Sequence, residues 1–390
     1  MTDLKAVRAV FWASCVAMFI GVNANAAVVI RGANVNSHGI ELGNTEVATP
    51  VGQFAQLPQG LTAGIFQQDI DHTGKLPGQT FSQRYWVDSE FASSSSAPVI
   101  YHFCGETDCT QAYFLHDNAI FWAREMGARL VYLEHRYYGR SVPFSNLSAA
   151  HLKYLTLANV LGDLATFQKW ISKKNGWTGP WIAVGGSYSG TLAALYRFKY
   201  PNLVVGALAA SAPMESGVGN LEGTQQDVDG LSSTALSQNL GGDRQWTYES
   251  CTKFGFWMAN YDYWTGGYDL MEPSPWLCHQ LFGNVSLYNS QSYNQKYYEP
   301  FISNAPNAPS NILFTYGSAD IWTNIGLPVN GVANPNITVH LIEGAGHHFD
   351  LNYPSQDDSQ SVLNARVLFY QMAEQWIQNY NQTHARFYQR

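Results

Sequence analysis

Charge is scarce in this 390-residue chain. Only 13% of residues are Asp, Glu, Lys or Arg, the net charge is −8, and there is no basic run. A chain with so few charges and 46% hydrophobic residues is not built for disorder. Its acidic balance also argues against nucleic acid as a partner. Long apolar runs are missing too. The stretch Phe11 to Val22 is too short to span a bilayer. It follows Lys5 and Arg8 and precedes Ala24-Asn25-Ala26, so residues 1–26 read as a secretory signal cleaved after Ala26. The expectation is a secreted or exported protein (extracellular, periplasmic or lysosome-like) with no membrane span once the signal is removed. Internal repeats are absent, and the only low-complexity tract is Ser93 to Ser96.

Cysteine is sparse. Cys15 leaves with the signal, and Cys104, Cys109, Cys251 and Cys278 remain. Four residues separate the first two and twenty-six the last two, which fits no standard zinc spacing. No metal or organic cofactor is expected. An even count in an exported chain points to two disulfides. Proximity favours Cys104–Cys109 and Cys251–Cys278 among the three pairings. Sequons begin at Asn146, Asn284, Asn336 and Asn381 and matter only in a eukaryotic secretory pathway.

What is present is a β/α rhythm. After an extended arm at residues 27–60, strands are expected at Phe81–Val87, Pro98–Phe103, Arg129–Leu133, Trp181–Val184 and Leu203–Ala210. Helices are expected at 111–126, at 155–173 and directly after Ser187. From Pro213 the rhythm stops and Gly, Ser, Gln, Asn and Tyr dominate. It resumes at Asn311–Tyr316 and Ile337–Ile342 and closes with a helix from Ser359 to Gln378. This alternation predicts a mostly parallel sheet covered on both faces. The domain reading is one sheet domain, residues 27–212 and 309–390, interrupted by a lid or cap at 213–308.

Gly185-Gly186-Ser187-Tyr188-Ser189-Gly190 sits between an expected strand and an expected helix. A serine flanked by small residues at such a turn is the nucleophile elbow of α/β-hydrolases, although Ser189 stands where the pattern asks for Gly. A serine hydroxyl needs a base, and the base needs a carboxylate. In this fold the chain order is Ser, then acid, then His. Asp320 follows the strand 312–316 through Gly317-Ser318-Ala319. His347 and His348 follow the strand 337–342 through Gly344-Ala345-Gly346. Spacing leaves the choice between the two histidines open, and Asp350 is a rival carboxylate that breaks the order. His102 and His135 read as packing or loop-positioning residues. The oxyanion donors expected are the N–H of Tyr188 and one from the loop after strand 98–103, Gly105 or Glu106. A Cys104–Cys109 bridge would brace that loop.

Several blocks resemble the secreted serine peptidases of the lysosomal Pro-Xaa carboxypeptidase and dipeptidyl-peptidase II type. They are Phe66-Gln67-Gln68-Asp69-Ile70-Asp71-His72 with Phe81-Ser82-Gln83-Arg84-Tyr85-Trp86, and, most specifically, Glu134-His135-Arg136-Tyr137-Tyr138-Gly139-Arg140-Ser141-Val142-Pro143-Phe144. Cys251-Thr252-Lys253-Phe254-Gly255 and Cys278-His279-Gln280-Leu281-Phe282-Gly283 resemble the family's cap. The elbow, Gly317–Trp322 and Gly344–Asp350 resemble its nucleophile, acid and base loops. The resemblance implies an α/β-hydrolase fold with an inserted, mainly helical cap, His347 as the base, and cleavage of peptides on the carboxyl side of proline. Three departures stand out: a shorter cap, Ser189 for Gly, and an extra Gly346. The short cap bears on exo- against endopeptidase mode, and Glu106 is a candidate for binding a substrate's free amine. An esterase or lipase, or a catalytically silent relative that binds ligands, are the competing readings.

Overall fold

The structure is a computed structural model that describes residues 35–36, 39–40, 60–109, 114, 117–219, 242–258, 260–262, 267–269 and 275–387. The expected signal segment with its expected cleavage site, most of the expected arm and the first part of the helix expected at 111–126 lie outside the described residues. The chain separates into two units, residues 1–59 with 110–117 and residues 60–109 with 118–390. In the first, Val35–Asn36 pairs antiparallel with Gly39–Ile40. The second carries the main sheet.

That sheet has eight strands: β1 (Leu61–Asp69), β2 (Thr80–Asp88), β3 (Val99–Phe103), β4 (Arg129–Leu133), β5 (Trp181–Gly186), β6 (Gly206–Ala210), β7 (Ile312–Gly317) and β8 (Ile337–Ile342). Their order is β1-β2-β4-β3-β5-β6-β7-β8. All neighbours from β4 through β8 pair in parallel, while β2 runs against both β1 and β4. β1 was not expected from sequence. Its alternating burial, with Ile65 exposed between buried Leu61 and Phe66, marks an outer strand with one wet face. That pattern carries a weaker hydrophobic signal than a central strand. The five inner strands β3 to β7 are buried along almost their whole length, as a sheet covered on both faces requires. Each large apolar side chain so enclosed contributes about 1.5–3 kcal/mol.

Helices α1 (Ala119–Met126), α2 (Leu157–Asn175) and α3 (Tyr188–Lys199) connect the parallel strands. α2 starts where the Thr156 side chain accepts the Asn159 N–H and stops at Gly176, whose left-handed backbone closes the last turn. Between β6 and β7 lie α4 (Asp243–Glu249), α5 (Pro275–Phe282) and α6 (Ser290–Tyr297). The final helix, α7 (Gln360–Phe387), runs nine residues past its expected end and packs Trp376 against β6. This is the α/β-hydrolase fold with a mainly helical insertion. The strand order brings the C-terminal ends of β3, β5, β6, β7 and β8 to one edge.

Candidate active site

β5 ends at Gly186 and α3 begins at Tyr188, so Ser187 alone makes the turn. It does so at φ 56° and ψ −133°, a conformation few non-glycine residues adopt. Its N–H is anchored to Ala210 O of β6 (2.9 Å), and its carbonyl starts α3 by accepting from Gly190 and Thr191. The turn is too tight for a side chain at Gly185, where a Cβ would lie 2.2 Å from Ser189 O. Ser189 replaces the expected Gly with a gain: its Oγ accepts the Gly186 N–H (3.0 Å) and donates to Gly186 O (2.7 Å). The elbow is thereby tied to itself.

Asp320 and His347 meet. His347 Nδ1 lies 2.9 Å from Asp320 Oδ1. The carboxylate is fully enclosed, and the imidazole is 22% exposed. Burial alone would raise the Asp320 carboxyl. The His347 hydrogen bond and charge, the Ser211 hydroxyl and the Trp322 N–H together hold it below its ordinary value. His347 Nε2 is buried and makes no hydrogen bond among the described residues, to Ser187 Oγ included. The base loop rests on the elbow: a Cβ on Gly186 would come 2.7 Å from Leu351 Cδ1 and 3.1 Å from His348 Cγ.

The geometry separates the residues that spacing left open. His348 is half-buried, turned back at φ 38°, and donates its N–H to Ser211 Oγ (2.8 Å). Burial, then the neighbouring His347, pushes its imidazolium down to about 3, so it stays neutral. Asp350 points elsewhere, accepting from Thr315 Oγ1 at 2.7 Å. His102 lies in the core against Tyr132. His135 packs its ring on Tyr138 and Tyr188 and bonds Arg136 O through Nδ1. Burial drives it down to about 4.

Of the expected oxyanion donors, Tyr188 is the first residue of α3, so its N–H has no partner within the helix. Gly105 lies against the same helix, its Cβ direction 3.6 Å from Ser189 Cβ. The half-buried Glu106 is raised by burial, while its carboxylate takes its own N–H and feels His347. Cys104 and Cys109 are bridged around this loop, and Cys251 is bridged to Cys278. No group of three or more metal-binding side chains occurs among the described residues.

Sequence reasoning missed two residues. Ser211 follows β6 at φ 49° and joins the loop of His347 and His348 to the strand by accepting the His348 N–H. Glu249 reaches Tyr188 from the insertion. Neither sits in a motif.

The family model of "Serine carboxypeptidase S28" matches residues 68–225 and 218–369, most of the described chain. The chain belongs to the serine carboxypeptidase S28 family. Among relatives, the human lysosomal Pro-X carboxypeptidase is 37% identical over 180 residues, covering 44% of this chain and 36% of that protein. Its mouse counterpart is 42% identical over 156 residues (38% and 31%). The mouse thymus-specific serine protease is 34% identical over 179 residues (45% and 35%). The chain spans about a third of the length of the relatives it matches. Among solved structures, the carboxylesterase EstE1 from a metagenomic library aligns over 83% of this chain and 90% of its own, with TM-score 0.45 and 13% identity.

Proposed function

We propose that this protein is a secreted serine peptidase that cuts peptides on the carboxyl side of proline. Ser187 attacks the scissile carbonyl. His347 Nε2 takes the hydroxyl proton and returns it to the leaving amine. Asp320 holds the imidazole through Nδ1 and stabilises its charged form. The tetrahedral oxyanion is received by the N–H of Tyr188 with that of Gly105 or Glu106. Water, activated by the same base, then attacks the acyl-enzyme, releasing the acyl product and restoring Ser187.

The observation that carries this reading is the 2.9 Å contact between His347 and Asp320 beside the strained turn at Ser187, with the far imidazole nitrogen unclaimed. Burial keeps the carboxylate dry, and the Gly-rich turns bring three distant segments to one sheet edge. The proline preference rests on relatives named Pro-X carboxypeptidases. The secretory reading rests on the sequence of residues 1–26, with the two disulfides in support. Incubation with a mixed peptide library, with cut sites read by mass spectrometry, tests the whole reading. Cuts clustered after proline and lost in Ser187→Ala are expected. Cuts without regard to proline overturn the specificity, and hydrolysis confined to acyl esters overturns the peptidase assignment.

A further inference from the structure

Tyr188 is held by the inserted segment. Its phenol donates to Glu249 Oε1 at 3.0 Å, and Glu249 Oε2 accepts the Tyr138 phenol at 3.1 Å. Trp246 and Phe254 pack their rings on the Tyr188 ring at 5.7 and 5.3 Å. All three contacts come from α4 and the turn after it. Glu249 has no exposed surface and joins no ion pair among the described residues. A carboxyl buried against two phenols contributes nothing to a hydrophobic core and costs desolvation. Its partners come from two distant segments: Tyr138 follows β4 and Tyr188 follows Ser187.

We infer that Glu249 is a positioning residue for the reaction: from the insertion it fixes the elbow through Tyr188, and its charge state sets the alkaline limit of turnover. This rests on the proposed roles of Ser187 and the Tyr188 N–H. The physical reason is placement. A neutral acid accepts one phenol at its carbonyl oxygen and donates its own proton to the other phenol oxygen, so it orders both without opposing the negative charge that grows on the substrate oxygen. An ionised one adds a buried anion, repelled by Glu106, on the side chain of the residue whose N–H is proposed to receive the oxyanion, and raises the barrier.

The groups facing Glu249 are few. Tyr188 comes from α3, Tyr138 from the loop after β4, and Glu106 from the loop after β3. Tyr248 and Lys253 come from its own segment. Burial raises Glu249 to about 8, with the two phenols opposing and Glu106 reinforcing the rise. Burial raises both facing phenols well above their ordinary range, and raises Tyr248 too, so they ionise later. Glu106 is also raised by burial, and Lys253 is lowered by it.

The test measures the rate of fluorophosphonate labelling of Ser187 from mildly acid to alkaline pH, in wild type, Glu249→Gln and Glu249→Ala. This readout needs no knowledge of the substrate. Wild type should slow as pH rises through about 8. Glu249→Gln keeps the shape and a hydrogen-bonding head but cannot ionise. It should label within about threefold of wild type at acid pH and show no slowing through that range. Glu249→Ala should slow labelling about tenfold or more at every pH, because the elbow loses its tether. A Gln variant that retains the wild-type alkaline fall overturns the inference, as does a wild type with no such fall. Loss of labelling in Ser187→Ala keeps the catalytic reading intact in either case, so the two failures are distinguishable.

Discussion

At the residue scale the site is a set of choices between near-equivalent side chains, decided by contact. His347 and His348 are adjacent and share a Gly-rich approach, so sequence alone does not rank them. The fold ranks them by giving Asp320 to His347 and Ser211 to the backbone of His348. Asp320→Asn should therefore cost about 10³–10⁴ in kcat with little change in KM, measured by steady-state kinetics, because the imidazole loses its orienting charge. Arg136 shows what the resemblance could flag but not explain. It is fully buried, bonds both oxygens of Asp163 (2.5 and 2.6 Å), and donates to the carbonyls of Asp69, Ile70 and Tyr154. His72 shares the same carboxylate at 2.8 Å. Arg136→Ala should destabilise by about 3–5 kcal/mol in chemical denaturation, because Asp163 would remain buried without its main counter-charge. Ser187, Asp320 and His347 were singled out by sequence because each follows a strand through small residues. Ser211 and Glu249 were not, because their partners are distant in sequence and neither lies in a recognisable turn.

At the element scale, strand ends do the positioning and loops carry the chemistry. The central strands were legible as short apolar runs between Gly- and Asn-containing turns. β1 was hidden by its wet face, and α7 was under-read because its last turns are largely polar. One close approach has a testable cost. α7 lies so near β6 that a Cβ on Gly206 would meet Trp376 Cε3 at 2.1 Å. Gly206→Ala should lower stability by about 1–3 kcal/mol, read as a fall in Tm, by pushing α7 off the sheet. The loop of Gly105 and Glu106 is closed by Cys104–Cys109. Replacing both cysteines with serine should lower turnover while leaving the denaturation midpoint of the sheet domain within a few degrees, because the bridge spans a short local loop rather than the core. Unchanged turnover in that variant would separate the disulfide from the oxyanion loop's function.

At the scale of the whole molecule, buried ionisable groups set opposite limits on stability. Glu249 stands at about 8 in the folded chain against 4.5 as its ordinary value. The native state keeps a proton that the unfolded chain releases, so this contribution is complete below about 4.5 and lost as pH rises through about 8. His135 and His348 act the other way. Native values near 4 and 3 against 6.5 mean that the unfolded chain takes up protons first, and stability is lost as pH falls below about 6.5. A Tm–pH curve from differential scanning fluorimetry should show a maximum at intermediate pH, with a shallower alkaline arm in Glu249→Gln. The insertion was legible as a break in composition. Its hydrogen bond to Tyr188 was not, because a contact across sixty-one positions, Tyr188 to Glu249, leaves no local pattern. The convergence of Ser187, His347 and Asp320 on one reaction is probed most sharply by peptide-mapped mass spectrometry of the protein after fluorophosphonate treatment. A single adduct on Ser187, absent in Ser187→Ala and formed far more slowly in His347→Ala, is the predicted result. An adduct on another residue, or an unchanged rate in His347→Ala, would contradict it.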